Sequence, residues 1–448
     1  MKHVNRVLIL IILSMLLLTA VVVNYRLTKF HKGLLDRDKD INNELTQETS
    51  QLDIIPSARY FKDTDNWEAF DASKIGGLQT KGYYGATYDG RYIYYAPCRT
   101  QDFHGIVLRY DTQGDFKSKN SWESYDASSI DGLTTVGYAG AIFDGRYVYY
   151  TPFTESTKRH AKVLRFDTKG EFTSSSSWSA FDAESVGSGI GYDGEIFDGK
   201  YVYFAPFGYD PFAHSRILRL DTEGDFKQSS SWDVYDAKKT DGLDTKGFYG
   251  MAFDGRYTYF VPFNDGNKFH GRVLRYDTRN NFEDAESWSA YDAGNTGGKD
   301  TKGYKGAVFD GRYVYFVPFR SSKQKQHALV LRYDTQGDFK SSSSWSVYDA
   351  ESTDGLDTRG YVGAEFDGKY IYFVPYSGVN NIFHAKFLRY DTEEDFMSSS
   401  SWSAYDARNI DGLNTQGYKY STSDGEYIYF VPYNNGQTFS GIALRYKF

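Results

Sequence analysis

One cysteine, Cys98, four methionines and nine prolines in 448 residues exclude several designs at once. A lone thiol builds neither an intrachain disulfide framework nor a Cys-based zinc site. Basic residues are not in excess either: 51 Lys and Arg face 59 Asp and Glu, a formal net charge of −8. Such a chain lacks the electrostatic footprint of a general nucleic-acid binder, so no nucleic-acid partner is expected. The sequence holds no G-x-S-x-G, no phosphate-binding glycine loop, no H-E-x-x-H and no complete EF-hand loop. Asp63-Thr64-Asp65-Asn66 resembles the start of a calcium loop, but nothing supplies the remaining ligands. No cofactor is expected.

What is abundant points to strands. Tyr supplies 41 residues and Gly 43, and 18% of the chain is aromatic. Aromatic residues suit pleated, half-buried surfaces, and glycines suit tight turns. With 40% hydrophobic residues, the chain can bury a large core and is not disordered.

The amino terminus stands apart. After Lys2 and Arg6, an apolar run extends from Val7 to Val23, broken only by Ser14 and Thr19. That is the short end of a spanning helix and long for a signal-peptide core. The best cleavage site ends at Ala20, but Leu18 occupies a position that should be small. Residues 1–23 are therefore read as an uncleaved anchor rather than a removed signal. Cleavage would make the protein secreted. Lys2 and Arg6 before the run, and Arg26, Lys29 and Lys32 after it, leave the charge rule undecided. The short leading tail favours an exported, membrane-anchored domain outside the cytoplasm. Residues 24–56 are polar and read as a stalk.

Residues 57–448 are a repeat. The only tryptophans are Trp67, Trp122, Trp178, Trp232, Trp288, Trp345 and Trp402, spaced by 54 to 57 residues. Self-similarity at such a period overrides the three domains that length alone suggests. Each unit carries four strand signals. The first ends at Asp-Gly (Asp89, Asp144, Asp198, Asp254, Asp310, Asp367, Asp424) and the second follows at once. Asp-Gly between aromatic and β-branched runs predicts a hairpin, expected as a type I′ turn. The second run ends at Pro97, Pro152, Pro206, Pro262, Pro318, Pro375 or Pro432, because proline lacks the ladder N–H. The third contains Leu-Arg-Tyr-Asp or a close variant, and the fourth carries the tryptophan.

Seven such units predict an all-β fold: a seven-bladed β-propeller of four-stranded antiparallel blades. Unit seven stops after its third strand, at Phe448, while an orphan segment, Asn66 to Ala72, precedes unit one. That segment is expected to close the ring as the outer strand of the last blade.

At these residues the unit resembles the kelch propeller repeat. Leu108-Arg109-Tyr110-Asp111 leading to Trp122 carries the resemblance, with its equivalents through residues 58–448. The paired glycines usual in kelch units are replaced by Pro-Phe, Pro-Tyr or Pro97-Cys98. The resemblance implies the fold and the general role of propellers as binding platforms, and no particular partner.

Candidate functional residues form rings. His104, His160, His214, His270, His327 and His384 occupy one position, with Ser440 in unit seven. On the third strand out from the axis, neighbours lie about 15 Å apart, given strands about 4.8 Å apart. Metal coordination at about 2 Å is then excluded, leaving a bond to the loop between strands two and three or contacts to ligands. Tyr83, Tyr138, Tyr192, Phe248, Tyr304, Tyr361 and Tyr418 precede the first strand. They are expected to form an aromatic collar at the channel mouth or to pack between blades. Arg109, Arg165, Arg219, Arg275, Arg332, Arg389 and Arg445 recur in every unit, so they read as blade-holding groups. Cys98 reads as a small core substitution.

The residue after the collar varies: Tyr84, Ala139, Asp193, Tyr249, Lys305, Val362, Lys419. The rim loops vary too, from Thr100-Gln101-Asp102-Phe103 to Asn264-Asp265-Gly266-Asn267 and Asn434-Asn435-Gly436-Gln437. Aromatics beside Asn, Asp, Gln and Gly suit a glycan or protein ligand on the loop face. The alternative is a lyase or hydrolase in the central pocket, with Asp193, Glu195, Lys305, Lys419 and His214 as first suspects. Units three, five and seven depart most from the repeat; in unit seven Tyr420-Ser421 replaces Gly-Ala.

Overall fold

In the computed structural model, residues 57–209 and 213–448 are described. The apolar run 7–23 and the stalk lie outside them. Among the described residues, no helix is long and apolar enough to cross a membrane.

Blade one shows how sequence becomes strand. Tyr83–Tyr88, Tyr92–Pro97, Ile106–Asp111 and Trp122–Asp126 pair in that order, all antiparallel. The same four-strand order recurs in blades two to six. The inner hairpin turns on Gly90-Arg91 rather than on Asp-Gly: the Asp89 N–H donates to Tyr92 O at 3.1 Å. Of the turn residues, only Gly90 has positive φ, at 100°. Positive φ at the first central residue alone is the type II′ pattern, not the expected type I′. Asp89 precedes the turn and caps it. Its carboxylate accepts the Arg91 and Tyr92 N–H groups at 2.8 and 2.7 Å and the Tyr94 hydroxyl at 2.8 Å.

The ring closes as expected, and with more chain than the orphan strand. Trp67–Asp71 pairs with Ile442–Lys447, so the last blade takes its outer strand from the amino-terminal side. A short helix, Ser57–Lys62, carries the next component. In blade one the Trp122 indole donates to Phe116 O, and in the closing blade Trp67 donates to Phe61 O at 3.1 Å. Phe61 thus does for blade seven what Phe116 does for blade one.

Those phenylalanines explain the repeated arginines. Arg109 lies between Tyr92 of its own blade, at 4.1 Å, and Phe172 of the next, at 4.3 Å. Arg389 is held in the same way between Tyr370 and Phe61. On its outer side the guanidinium meets Glu123, Asp233 or Glu68 in three blades and a serine in the other four. Cation–π contact at roughly 0.5–2 kcal/mol each, repeated around the ring, ties blade to blade.

A second belt runs round the outside. Asp131, on the hairpin between blades one and two, accepts the Ala180 N–H at 2.8 Å and pairs with Lys227 of blade three at 2.8 Å. Asp241–Lys340, Asp354–Lys62 and Asp411–Lys117 repeat the arrangement. The propeller, Ala58–Phe448, is one compact unit.

Candidate functional site at the propeller axis

Two of the predicted rings are internal. Tyr83, Tyr138, Tyr192, Phe248, Tyr304 and Tyr361 are 0% exposed and Tyr418 is 1% exposed. The first six meet the histidine rings edge-on, as in Tyr83–His104 at 5.9 Å and Tyr192–His214 at 5.2 Å. The structure therefore places them inside the blades and between them, not at a channel mouth. The physical reason is strand alternation: one residue in the inner strand faces the packed blade and the next enters the axis.

The histidines tie each blade to its own lead-in segment. His104 donates from Nε2 to Lys81 O at 2.8 Å, and its Nδ1 accepts the Ile106 N–H at 3.2 Å. His160, His270, His327 and His384 repeat both bonds. His214 makes the first, to Gly191 O at 2.9 Å. Each His carbonyl also accepts a glycine N–H leading into the next blade, as Gly137 to His104. Burial lowers all six, to about 4 in five cases and about 3 for His270.

The channel mouth is formed by a different ring, the residues after the prolines. Phe153, Phe207, Phe263 and Phe319 are buried, and Tyr376 and Tyr433 are half-buried. Phe153–Phe207, Phe263–Phe319, Phe319–Tyr376 and Tyr376–Tyr433 contacts at 5.0 to 6.4 Å carry the ring forward. Tyr249 bridges Phe207 to Phe263, at 5.7 and 5.1 Å. Cys98 leaves a gap that Tyr84 fills, touching Tyr433 at 5.6 Å and Phe153 at 5.5 Å. Burial pushes the Cys98 thiol up to about 12, which keeps it protonated and unreactive.

Beneath these rings the variable inner-strand position brings unlike groups together. Asp193 from blade three is 0% exposed. Lys305 of blade five points its ammonium at Tyr249, Phe319 and Phe263, at 4.1, 4.2 and 4.9 Å. Lys419 of blade seven lies 3.3 Å from the Tyr84 ring centroid, 4.2 Å from Tyr433 and 5.0 Å from Tyr376. The Tyr84 and Tyr249 hydroxyls are hydrogen-bonded to each other across the axis. Arg159, from the blade-two rim hairpin, stacks on Phe153 and Phe207 at 4.0 and 4.4 Å.

The floor of this cluster is Tyr420. Six blades have glycine at its position: Gly85, Gly140, Gly194, Gly250, Gly306 and Gly363. The inner strands approach so closely there that a Cβ on Gly306 would meet Gly363 Cα at 3.0 Å. Tyr420 alone carries a side chain, and at φ 54°, a region costly for an aromatic residue. Its ring runs beside Gly363 and Gly306, and its hydroxyl donates to Asp193 Oδ1 at 2.9 Å. Below it lies a cavity of about 130 Å³, lined by Glu195, Met251, Ala307 and Ala364 among others.

Of the five suspects named from sequence, Asp193, Lys305 and Lys419 meet in this axial cluster. Glu195 lies below Tyr420, accepting the Thr151 hydroxyl at 2.6 Å. His214 belongs to the histidine ring. Burial raises Asp193 to about 6, against the opposing pull of Lys419 and the Tyr420 hydrogen bond. Burial also lowers Lys419 to about 7 and takes Lys305 well below the usual lysine value. Glu195 and Glu365 are raised to about 7 by burial.

Sequence reasoning missed the post-proline ring, Arg159 and the reach of Tyr420. The available signals were the Pro-aromatic pair in six of the seven units and the single glycine-to-tyrosine exchange at the innermost position.

No family model matches the chain, and no curated protein matches it. Among solved structures it is similar to a chain described as Kuenenia stuttgartiensis hydrazine synthase, at 13% identity and a TM-score of 0.49. The similarity covers 84% of this chain and 99% of that one. At that level no argument about function is drawn from it. The class stands on the fold: a seven-bladed β-propeller with one asymmetric cluster of buried polar and aromatic side chains on its axis.

Proposed function

We propose that the protein is a binding module whose principal site is the axial chamber, reached from the loop face. A glycan end group or a protein side chain inserted between the rim loops is the ligand class this reading favours. One observation carries it: Tyr84, Asp193, Tyr249, Lys305, Lys419 and Tyr420, from five blades, converge on one point. Residues repeated in every blade are instead consumed by packing. Convergent polar groups in an aromatic-lined concavity are the usual signature of a ligand site.

The test is a glycan and peptide array probed with the full chain, with Asp193→Asn and Tyr249→Ala beside it. Binding lost in both, with Lys158→Ala on the rim unchanged, supports the axial site. Binding that survives both, at unchanged melting temperature, overturns it.

A catalytic use of the same chamber is the second reading. It is favoured by an acid raised to about 6 and an amine lowered to about 7 facing one space. Conversion of a bound ligand, followed by NMR and abolished in Asp193→Asn, would establish it. For placement in the cell, the run 7–23 supports a membrane-anchored domain, checked by whether the protein resists carbonate extraction.

A further inference from the structure

The ammonium groups of Lys305 and Lys419 make no hydrogen bond and no ion pair within 4.0 Å among the described residues. What surrounds them is ring faces, at 3.3 to 5.0 Å for the nearest six contacts. Aromatic faces hold a cation without neutralising it. Each contact returns less than the burial of an ion costs. Among the described residues the two amines are therefore held in place and left unmatched.

Among the described residues the carboxylate that acts on both lysines is Asp193, and it is partly committed. Its Oδ1 accepts the Tyr420 hydroxyl, while its buried Oδ2 has no partner. With both lysines protonated, two ammonium groups and one carboxylate leave the chamber positive in a chain whose net charge is −8. Arg320 adds a further cation at the rim, stacked on Phe319 at 4.2 Å. Three functions are thus presented together: amines that an anion would hold protonated, a free carboxylate oxygen able to accept a hydroxyl proton, and flat rings able to stack on a ring face.

We infer that the axial chamber takes a hydroxylated ring carboxylate, of which a uronic acid residue is the simplest case. Its carboxylate would lie toward Lys305 and Lys419, and one ring hydroxyl would donate to Asp193 Oδ2. The inference rests on the chamber being the binding site. An anion there would also restore the charge on Lys419, so binding takes up a proton at pH 8 and weakens as pH rises from 6 to 8.

The experiment is calorimetry on the full chain at pH 6.5 with matched pairs. D-glucuronate and D-galacturonate are set against D-glucose and D-galactose, and 4-hydroxybenzoate against 4-hydroxybenzyl alcohol. The expected result is at least tenfold tighter binding of the acid in one pair. Lys305→Met and Lys419→Met should each lose at least tenfold for the acid while melting no lower than the wild type, since each removes an unmatched buried charge. The sugar and benzoate arms identify which ring the chamber accepts. Neutral members binding as tightly as the acids, with loss in Tyr249→Ala, overturn the carboxylate and leave the axial site standing. Acid binding indifferent to both lysine variants and to Asp193→Asn overturns the axial site itself. No binding by any member overturns the inference.

Discussion

Tyr420 of blade seven donates its hydroxyl proton to Asp193 of blade three across the propeller axis, at 2.9 Å. The bond spans 227 residues of sequence and uses the one inner-strand position where glycine is replaced. Tyr420 holds φ 54° to do so, so backbone strain is retained where a phenol can close the channel and orient a buried carboxylate.

Removing only that hydroxyl separates the two roles. Tyr420→Phe keeps the plug but takes away a bond that lowers Asp193, so its carboxyl rises above about 6. A raised carboxylate contributes stability that is complete below its unfolded pKa and is lost as pH climbs to its folded pKa. The variant should therefore lose stability over a window extending to higher pH than in the wild type. Carbon-13 NMR titration of the Asp193 carboxyl reads the shift directly.

The histidine ring sets an acid limit. Each of the six is lowered from its ordinary value near 6.5 to about 4 or below by burial. Below pH 6.5 the unfolded chain binds protons that the folded chain refuses. Stability is thus full above pH 6.5 and falls toward pH 4, by up to about 1.4 kcal/mol per pH unit for each histidine. His327→Gln, which retains a side-chain N–H donor, should flatten the decline in melting temperature over that window.

Closure of the ring predicts an equivalence between distant residues. Phe61 and Phe116 each lie under a tryptophan and against an arginine of the preceding blade. Phe61→Ala and Phe116→Ala should cost similar amounts, about 3–5 kcal/mol, by denaturant unfolding. A much smaller loss for Phe61→Ala would show that the short helix contributes little to closing the propeller.

The outer belt predicts an asymmetry within each pair. Asp131 accepts both the Ala180 N–H and Lys227, and these hold it below the usual carboxylate range despite partial burial. Lys227→Ala breaks only an exposed pair, worth about 0–1 kcal/mol. Asp131→Ala also strands a partly buried N–H, for a loss of about 1–3 kcal/mol.

The blades were legible because their signals are local and occur seven times. Asp-Gly, the terminal proline and the tryptophan each fix one feature of one strand, and the orphan tryptophan strand at Trp67 revealed how the ring closes. The turn type was misread because Asp89 caps the hairpin from outside it, which no dipeptide rule distinguishes. The site was half legible. Asp193, Lys305 and Lys419 stood out as departures from the repeat, and departure from a repeat is visible in sequence. The choice between adjacent residues, Tyr83 inside the blade and Tyr84 at the axis, depends on how the inner strand is rotated about its own length. Arg159 was hidden because its two-stranded rim hairpin is shared only with blade five among the described residues, so no sevenfold repeat marks its position.

The central claim, a positive chamber on the axis open to anions, is tested most directly by soaking crystals of the full chain in bromide at pH 6 and mapping anomalous scattering. The account predicts a bromide peak at Lys305 and Lys419 beneath the ring of Phe263, Phe319 and Tyr376. Bromide found only on outer-surface lysines, with the axis bare, would contradict it.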